Sequence, residues 1–155
     1  MLNFDTVKFI LEYVKGKASK EDKDLVFSLV SNFANMDEQK LGYLIKKDVS
    51  LCTSLDGPEH LHNKNRISTN AHINSYQNTV KWIKIFRKKS KAGEYKFKVN
   101  ALVTVTKDSL KYPREIIDEF LELGLDGIHL RPVSPFGINK KALWSKVSFS
   151  AEEFR

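Results

Sequence analysis

Near the start of the chain, apolar residues recur at helical spacing: Phe4, Val7, Leu11 and Val14. That spacing lays one apolar stripe along a helix, with Asn3 placed to cap it and Gly16 falling near its end. Leu25 to Ser31 (LVFSLVS) then predicts a strand. A second helix follows, capped by Asp37, with Met36 positioned to staple onto Leu41. Val49 to Leu55 predicts the next strand, and Tyr76 to Lys91 a third helix carrying Val80, Ile83 and Phe86 on one stripe. Phe97 to Thr106 alternates apolar and polar positions as a strand does. Pro113 opens a helix bearing Ile116, Ile117 and Phe120, and Gly124 ends it. Gly127 to Arg131 (GIHLR) is the last predicted strand. Ser150 and Glu153 carry the capping-box spacing of one more helix.

Strands that alternate with helices argue for an α/β fold with a parallel sheet and right-handed crossovers. The predicted order starts inside a helix cap with no preceding strand and stops one turn into its last helix. The expectation is therefore a single domain over residues 1–155, a segment of a longer α/β protein truncated at both ends. A parallel strand covered on both sides should be apolar almost throughout, but here one face of each strand is apolar and the other polar. The polar sets are Ser28 and Asn32; Ser50, Cys52 and Ser54; Asn100, Thr104 and Thr106; His129 and Arg131. An unpaired buried polar group costs about 1–3 kcal/mol, so a polar face shared by four strands points to a lumen holding water or a polar ligand. The alternative is that these groups pair with one another or lie at strand ends. Ligands in parallel α/β folds bind beyond the carboxyl ends of the strands. Asn32, Ser54 to Gly57, Thr106 to Asp108 and Arg131-Pro132 lie there, followed in two cases by long loops, Gly57 to Asn74 and Pro132 to Val147.

Composition narrows the class. In 155 residues, 41% are hydrophobic and 29% charged, as in a soluble globular protein. No apolar run is long enough to span a bilayer, and the start lacks the marks of a signal peptide. Cys52 is the single cysteine, which excludes an internal disulfide and favours a reducing, cytoplasmic location. A protein-borne iron–sulfur or Cys-rich zinc site needs several thiolates. The net charge of +7 is dispersed. Its densest run, Lys81 to Lys91, with Lys84, Arg87, Lys88, Lys89 and Lys91 near the C-terminal end of one predicted helix, complements the helix dipole and reads as a solvated face more than as a nucleic-acid patch.

Taken singly, the remaining features are modest. Asp56-Gly57-Pro58 is a turn signal. His60 and His62 form an H-x-H pair with no further ligand nearby, expected to be exposed rather than metal-binding. His129 beside Arg131 suits acid–base work or a satisfied lumen histidine equally. Cys52, mid-strand, is expected to be inert. There is no Gly-rich phosphate loop and no G-x-S-x-G elbow.

At TSLDGPEHLHNKNR the sequence resembles the radical S-adenosylmethionine (SAM) enzymes, and within them the peptide and protein maturases with a C-terminal auxiliary-cluster (SPASM-type) domain. LVFSLVSN resembles the third barrel strand, departing at Ser31 and Phe33 from the family's Thr-Asn-Gly. VSLCTSLDGP resembles the fourth strand, VNALVTVTK the fifth and GIHLRPVSPFG the sixth. LNFDTVKFI, SLCTSLDGP, ALVTVTKDSLKYP and HLRPVSPFG together look most like maturases of the His-Xaa-Ser systems. The resemblance implies a partial TIM-type (β/α)6 barrel of which this chain holds about four parallel strands, the third to the sixth. The CxxxCxxC loop that carries the [4Fe-4S] cluster is missing, as is the Gly-Gly-Glu-Pro stretch.

What the resemblance implies is an oxidoreductase that cleaves SAM reductively and abstracts hydrogen from a peptide or protein substrate. Electrons would come from a flavodoxin or ferredoxin, and the cluster would exist only in an intact protein. Ser54 would hydrogen-bond the SAM carboxylate or a ribose hydroxyl. Arg66 would pair with the carboxylate, and Asn32 would line the lumen. The backbone around Leu130, Arg131 and Pro132 would flank the adenine. Asp56 would brace the turn, and Asn100, Thr104 and His129 are lumen or substrate candidates. Two other readings remain open from the residues themselves. One is a different TIM-barrel enzyme using Thr106, Lys107 and the long loops for phosphate. The other is a non-enzymatic α/β module with a basic face.

Overall fold

The Asn3 carboxamide accepts the Thr6 N–H at 3.0 Å, so helix α1 starts where the sequence predicts and spans Phe4–Glu21. It runs on through Gly16, because Leu11 and Ala18 on either side are both buried. That packing outweighs the roughly 1 kcal/mol cost of one interior glycine. The computed structural model describes residues 3–21, 23–68, 70, 73–136 and 141–155. Leu2 and Gly137 of the motifs quoted above lie outside them.

Strand β1 is Phe27–Ser31, helix α2 Glu38–Lys46, strand β2 Val49–Ser54, helix α3 Glu59–Asn65 and helix α4 Ser75–Lys91. Strand β3 is Asn100–Val105, helix α5 Pro113–Glu122, strand β4 Ile128–Pro132, helix α6 Lys141–Val147 and helix α7 Ala151–Phe154. The strands form one four-stranded sheet in the order β1-β2-β3-β4, and every pairing is parallel. Each strand thus lies beside its predecessor in the chain, the progression of a TIM-type barrel wall. The predicted caps at Asp37 and Ser150 are present, and Pro113 occupies the first turn of α5.

The apolar strand face and the helices close a single core. Leu51, Ala101 and Val103 from the sheet, and Val99 just before β3, are buried with Leu11, Leu41, Ile83, Phe86 and Phe120 from α1, α2, α4 and α5. The opposite sheet face is open. It is not purely polar: Val30 and Leu102 stand on it beside the serines and asparagines, and Val30 is 58% exposed.

Two strands and both long connections depart from the sequence pattern. The third strand begins at Asn100 rather than Phe97, because its partners begin only at Cys52 and Ile128; alternation without a ladder partner makes no strand. Likewise Leu25, 38% exposed, precedes β1. The two long connections each fold a helix, α3 and α6, so neither is a structureless loop.

Candidate functional site

The carboxyl ends of β1, β2, β3 and β4 bring the candidate residues together in two rows across the open face. Register pairs Ser31 with Thr53, Ser54 with Leu102 and Leu102 with His129. Asn32, Ser54, Leu102 and His129 therefore form one row, with about 4.8 Å between neighbouring strands. Thr104 and Arg131 are paired in the next row, and Asp56, two residues beyond Ser54, joins them. Asn100 does not belong here. It sits at the opposite, amino end of β3, with its carboxamide packed on Gly127.

The centre of the site is a buried ion pair. Asp56, 1% exposed, accepts the Arg66 Nε–H at Oδ2 and an Arg66 Nη2–H at Oδ1, both at 2.9 Å. The same Oδ1 accepts the Thr104 main-chain N–H at 2.9 Å, and Arg66 Nη2 also donates to Thr104 Oγ1 at 3.2 Å. Asp56 thus does more than brace a turn: it ties β2, β3 and the end of α3 into one clamp. The side-on fork of Arg66 is taken by Asp56. What it retains for an incoming ligand are the two N–H groups of Nη1, which have no partner among the described residues.

The corner itself is set by Gly57 at φ +119. A Cβ there would lie 2.8 Å from Ile116 Cγ1, so the turn needs glycine for both conformation and space. Above the clamp opens a cavity of about 510 Å³ lined by Asp56, Asn65, Arg66, Thr104, Thr106 and Asp108 among others. Lys64 and Lys111 both bond Asp108 at its edge, and the hydrogen bond from Lys64 is the main cause holding the Asp108 carboxyl below its ordinary pKa.

The expectation of an exposed His60–His62 pair is half wrong. His60 is exposed and meets the Tyr112 ring edge-on. His62 is fully buried; its Nδ1 accepts the Asp56 N–H at 3.3 Å, and its Nε2 lies 3.1 Å from Ser75 Oγ. Spacing alone gave no sign of this, because two residues apart on α3 turn to opposite sides of the helix. Desolvation lowers the His62 pKa to about 4. Burial pushes the Cys52 thiol up, which keeps it protonated and suits the inert role expected for it.

Leu130 belongs to the helix-side face, since it pairs with buried Val103, yet it is 56% exposed. It lines a second, apolar cavity of about 420 Å³ with Val105, Leu110, Ile116, Ile117 and Phe154. Only its main chain can therefore face a ligand on the open side. His129 and Arg131 are exposed on that side. The donors of the phosphate alternative are committed elsewhere: the Thr106 N–H to Ser109 Oγ and the Lys107 ammonium to Glu153.

No protein-family model matches this chain, and no curated protein matches it. Solved structures do. Native anSMEcpe, an anaerobic sulfatase-maturating enzyme of the radical SAM group, with bound AdoMet and Kp18Cys peptide, matches 97% of this chain at 19% identity and TM-score 0.78. Native anSMEcpe with bound AdoMet matches 86% at 20% identity and TM-score 0.72, and with AdoMet and Cp18Cys peptide 84% at 20% identity and TM-score 0.71. The fold is that of a radical SAM partial barrel. This chain spans about two-fifths of the length of those neighbours, 39% for the first and 35% for the second. Against that partial barrel, the open face is its lumen side, and the clamp stands at the rim where the strands end.

Proposed function

We propose that this chain is the SAM- and substrate-facing part of a radical SAM enzyme that modifies a peptide or protein. The observation that carries this reading is the Asp56–Arg66–Thr104 clamp beside Ser54, under a polar cavity at the carboxyl ends of the strands. The fold is shared with proteins that hold AdoMet and, in two of the structures, a peptide.

The residues fit SAM. The Ser54 hydroxyl and the free Nη1 of Arg66 would meet its carboxylate or a ribose hydroxyl. Asn32 would line the same row, and the Leu130–Pro132 main chain would flank the adenine. Thr104 and His129 would face SAM or substrate, whereas Asn100 is withdrawn from this role by its place at the far end of β3. SAM, when cleaved reductively, supplies a deoxyadenosyl group able to take hydrogen from a C–H bond. The work of these residues is to bind it, orient it and keep water from the rim.

The residues do not fit a [4Fe-4S] cluster. Cys52 is the single cysteine of the chain, and the described residues contain no group of three or more His, Cys, Asp or Glu able to hold a metal. In this reading the cluster and the cleavage step belong to parts of a longer protein, and the reductant that feeds the cluster is a separate flavodoxin or ferredoxin. Within that class, the sequence resemblance supports the maturases of the His-Xaa-Ser systems.

The test is a SAM titration followed by 1H–15N NMR of the chain. Saturable shifts at Ser54, Thr104 and Arg66 are expected, weakened about tenfold by Ser54→Ala, the loss of one hydrogen bond to a charged group. Shifts confined to other surfaces, or none, would sink the reading. Among the described residues no helix is long and apolar enough to cross a membrane.

A further inference from the structure

His62 is fully buried and makes none of the SAM contacts proposed above, yet it touches both halves of the clamp. Its ring accepts the Asp56 N–H at 3.3 Å, and its main-chain carbonyl accepts the Arg66 N–H at 2.8 Å. The far nitrogen of the ring reaches Ser75 Oγ at the start of α4, 3.1 Å away. Because Nδ1 receives an N–H it carries no proton, so the neutral ring holds its proton on Nε2 and donates it to Ser75. We propose that His62 is a positioning residue: its unprotonated Nδ1 fixes the Asp56 main chain and so aims the Asp56 carboxylate at Arg66 and Thr104. That a ligand uses the clamp rests on the SAM reading; that His62 sets the clamp does not.

The physical requirement is narrow. The Asp56 N–H is buried at a corner where Gly57 is already at φ +119, and a buried donor left unpaired costs about 1–3 kcal/mol. The Leu55 N–H is held by Leu102 O at 3.1 Å, so the two successive amides that lead into the corner are both held only while His62 accepts. Burial keeps the ring neutral by lowering its pKa to about 4, which preserves Nδ1 as an acceptor through the neutral range. A rigid plane with an acceptor at one end and a donor at the other is what the two partners ask for. Phenylalanine offers neither group. Asparagine can place an oxygen at the Nδ1 position but cannot reach Ser75, and glutamine can reach Ser75 but leaves Asp56 without an acceptor.

That contrast gives the experiment, on the full 155-residue chain without SAM. In His62→Asn the slow exchange of the Asp56 amide and the Arg66 Nε–H resonance should persist. In His62→Gln the Asp56 amide should exchange at least tenfold faster and the Arg66 Nε–H signal should broaden or vanish. Equal behaviour of the two variants would mean that His62 only fills space, and would overturn the proposal. Should neither variant fold, long-range 15N correlation spectra of the unmodified chain decide it. A proton on Nε2 alone supports the assignment, and a proton on Nδ1 overturns it. Because these readouts need no SAM, they fail or succeed separately from the SAM titration.

Discussion

At the scale of single residues, the site depends on two buried groups whose charge states are opposite in kind. Asp56 is a buried anion held by Arg66, whose side chain is 25% exposed, and by the Thr104 N–H. Removing one member of such a pair leaves the other uncompensated. Asp56→Asn should therefore destabilise the chain by about 2–4 kcal/mol in urea denaturation. A loss under half a kcal/mol would show that Arg66 relaxes into solvent. His62 is buried and neutral, with its pKa lowered by desolvation from 6.5 to about 4. Between those values the unfolded chain binds the proton and the folded chain does not. Stability should thus fall as pH drops from 6.5 to 4, by about 3 kcal/mol when complete. His62→Asn should flatten this part of the stability–pH curve; an unchanged slope would assign it to other groups.

At the scale of elements, the turn between β2 and α3 carries the site because it packs against α5. Gly57→Ala puts a Cβ at 2.8 Å from Ile116 Cγ1 and an L-residue at φ +119. A loss of about 1–3 kcal/mol is expected, with Ile116 methyl resonances shifted. A silent substitution would mean that α5 moves aside freely. The Lys84–Lys91 stretch has a local role here. The Arg87 guanidinium lies over Gly124 at the C-terminal end of α5, and Lys89 pairs with Glu94. Cations at such an end are favoured by the helix dipole.

At the scale of the whole molecule, all strands run parallel with helices on one face, so the carboxyl ends and their turns gather on a single rim. That rim carries hydroxyls, amides, the paired carboxylates of Asp56 and Asp108 and the guanidinium groups of Arg66 and Arg131, and no metal-binding cluster among the described residues. Anaerobic incubation with iron and sulfide should leave this chain without the charge-transfer absorbance of an iron–sulfur cluster. A stable, stoichiometric cluster would overturn the view that its ligands lie elsewhere.

Much of this was legible in the chain. Periodicity located helices α1, α2, α4 and α5 and all four strands, and capping signals placed the helix starts, because these are local preferences written in neighbouring residues. The alternation of apolar and polar positions told which strand face is open. Strand ends, by contrast, depend on where a neighbour's ladder begins, so the third strand was read three residues too long at its start. Ser54, Asp56, Arg66 and Thr104 were each visible as candidates. Their assembly into one clamp was not, since it joins residues 38 and 48 positions apart in the chain. His62 was visible only as half of an H-x-H pair, and its role was hidden for the same reason: its burial and tautomer are set by Asp56 and Ser75, partners that only folding brings to it. Sequence alone determined the α/β order, the open face and the residue types at its rim. Tertiary structure decided which of those residues meet, because hydrogen bonds between distant residues form only after packing has fixed the strands beside one another.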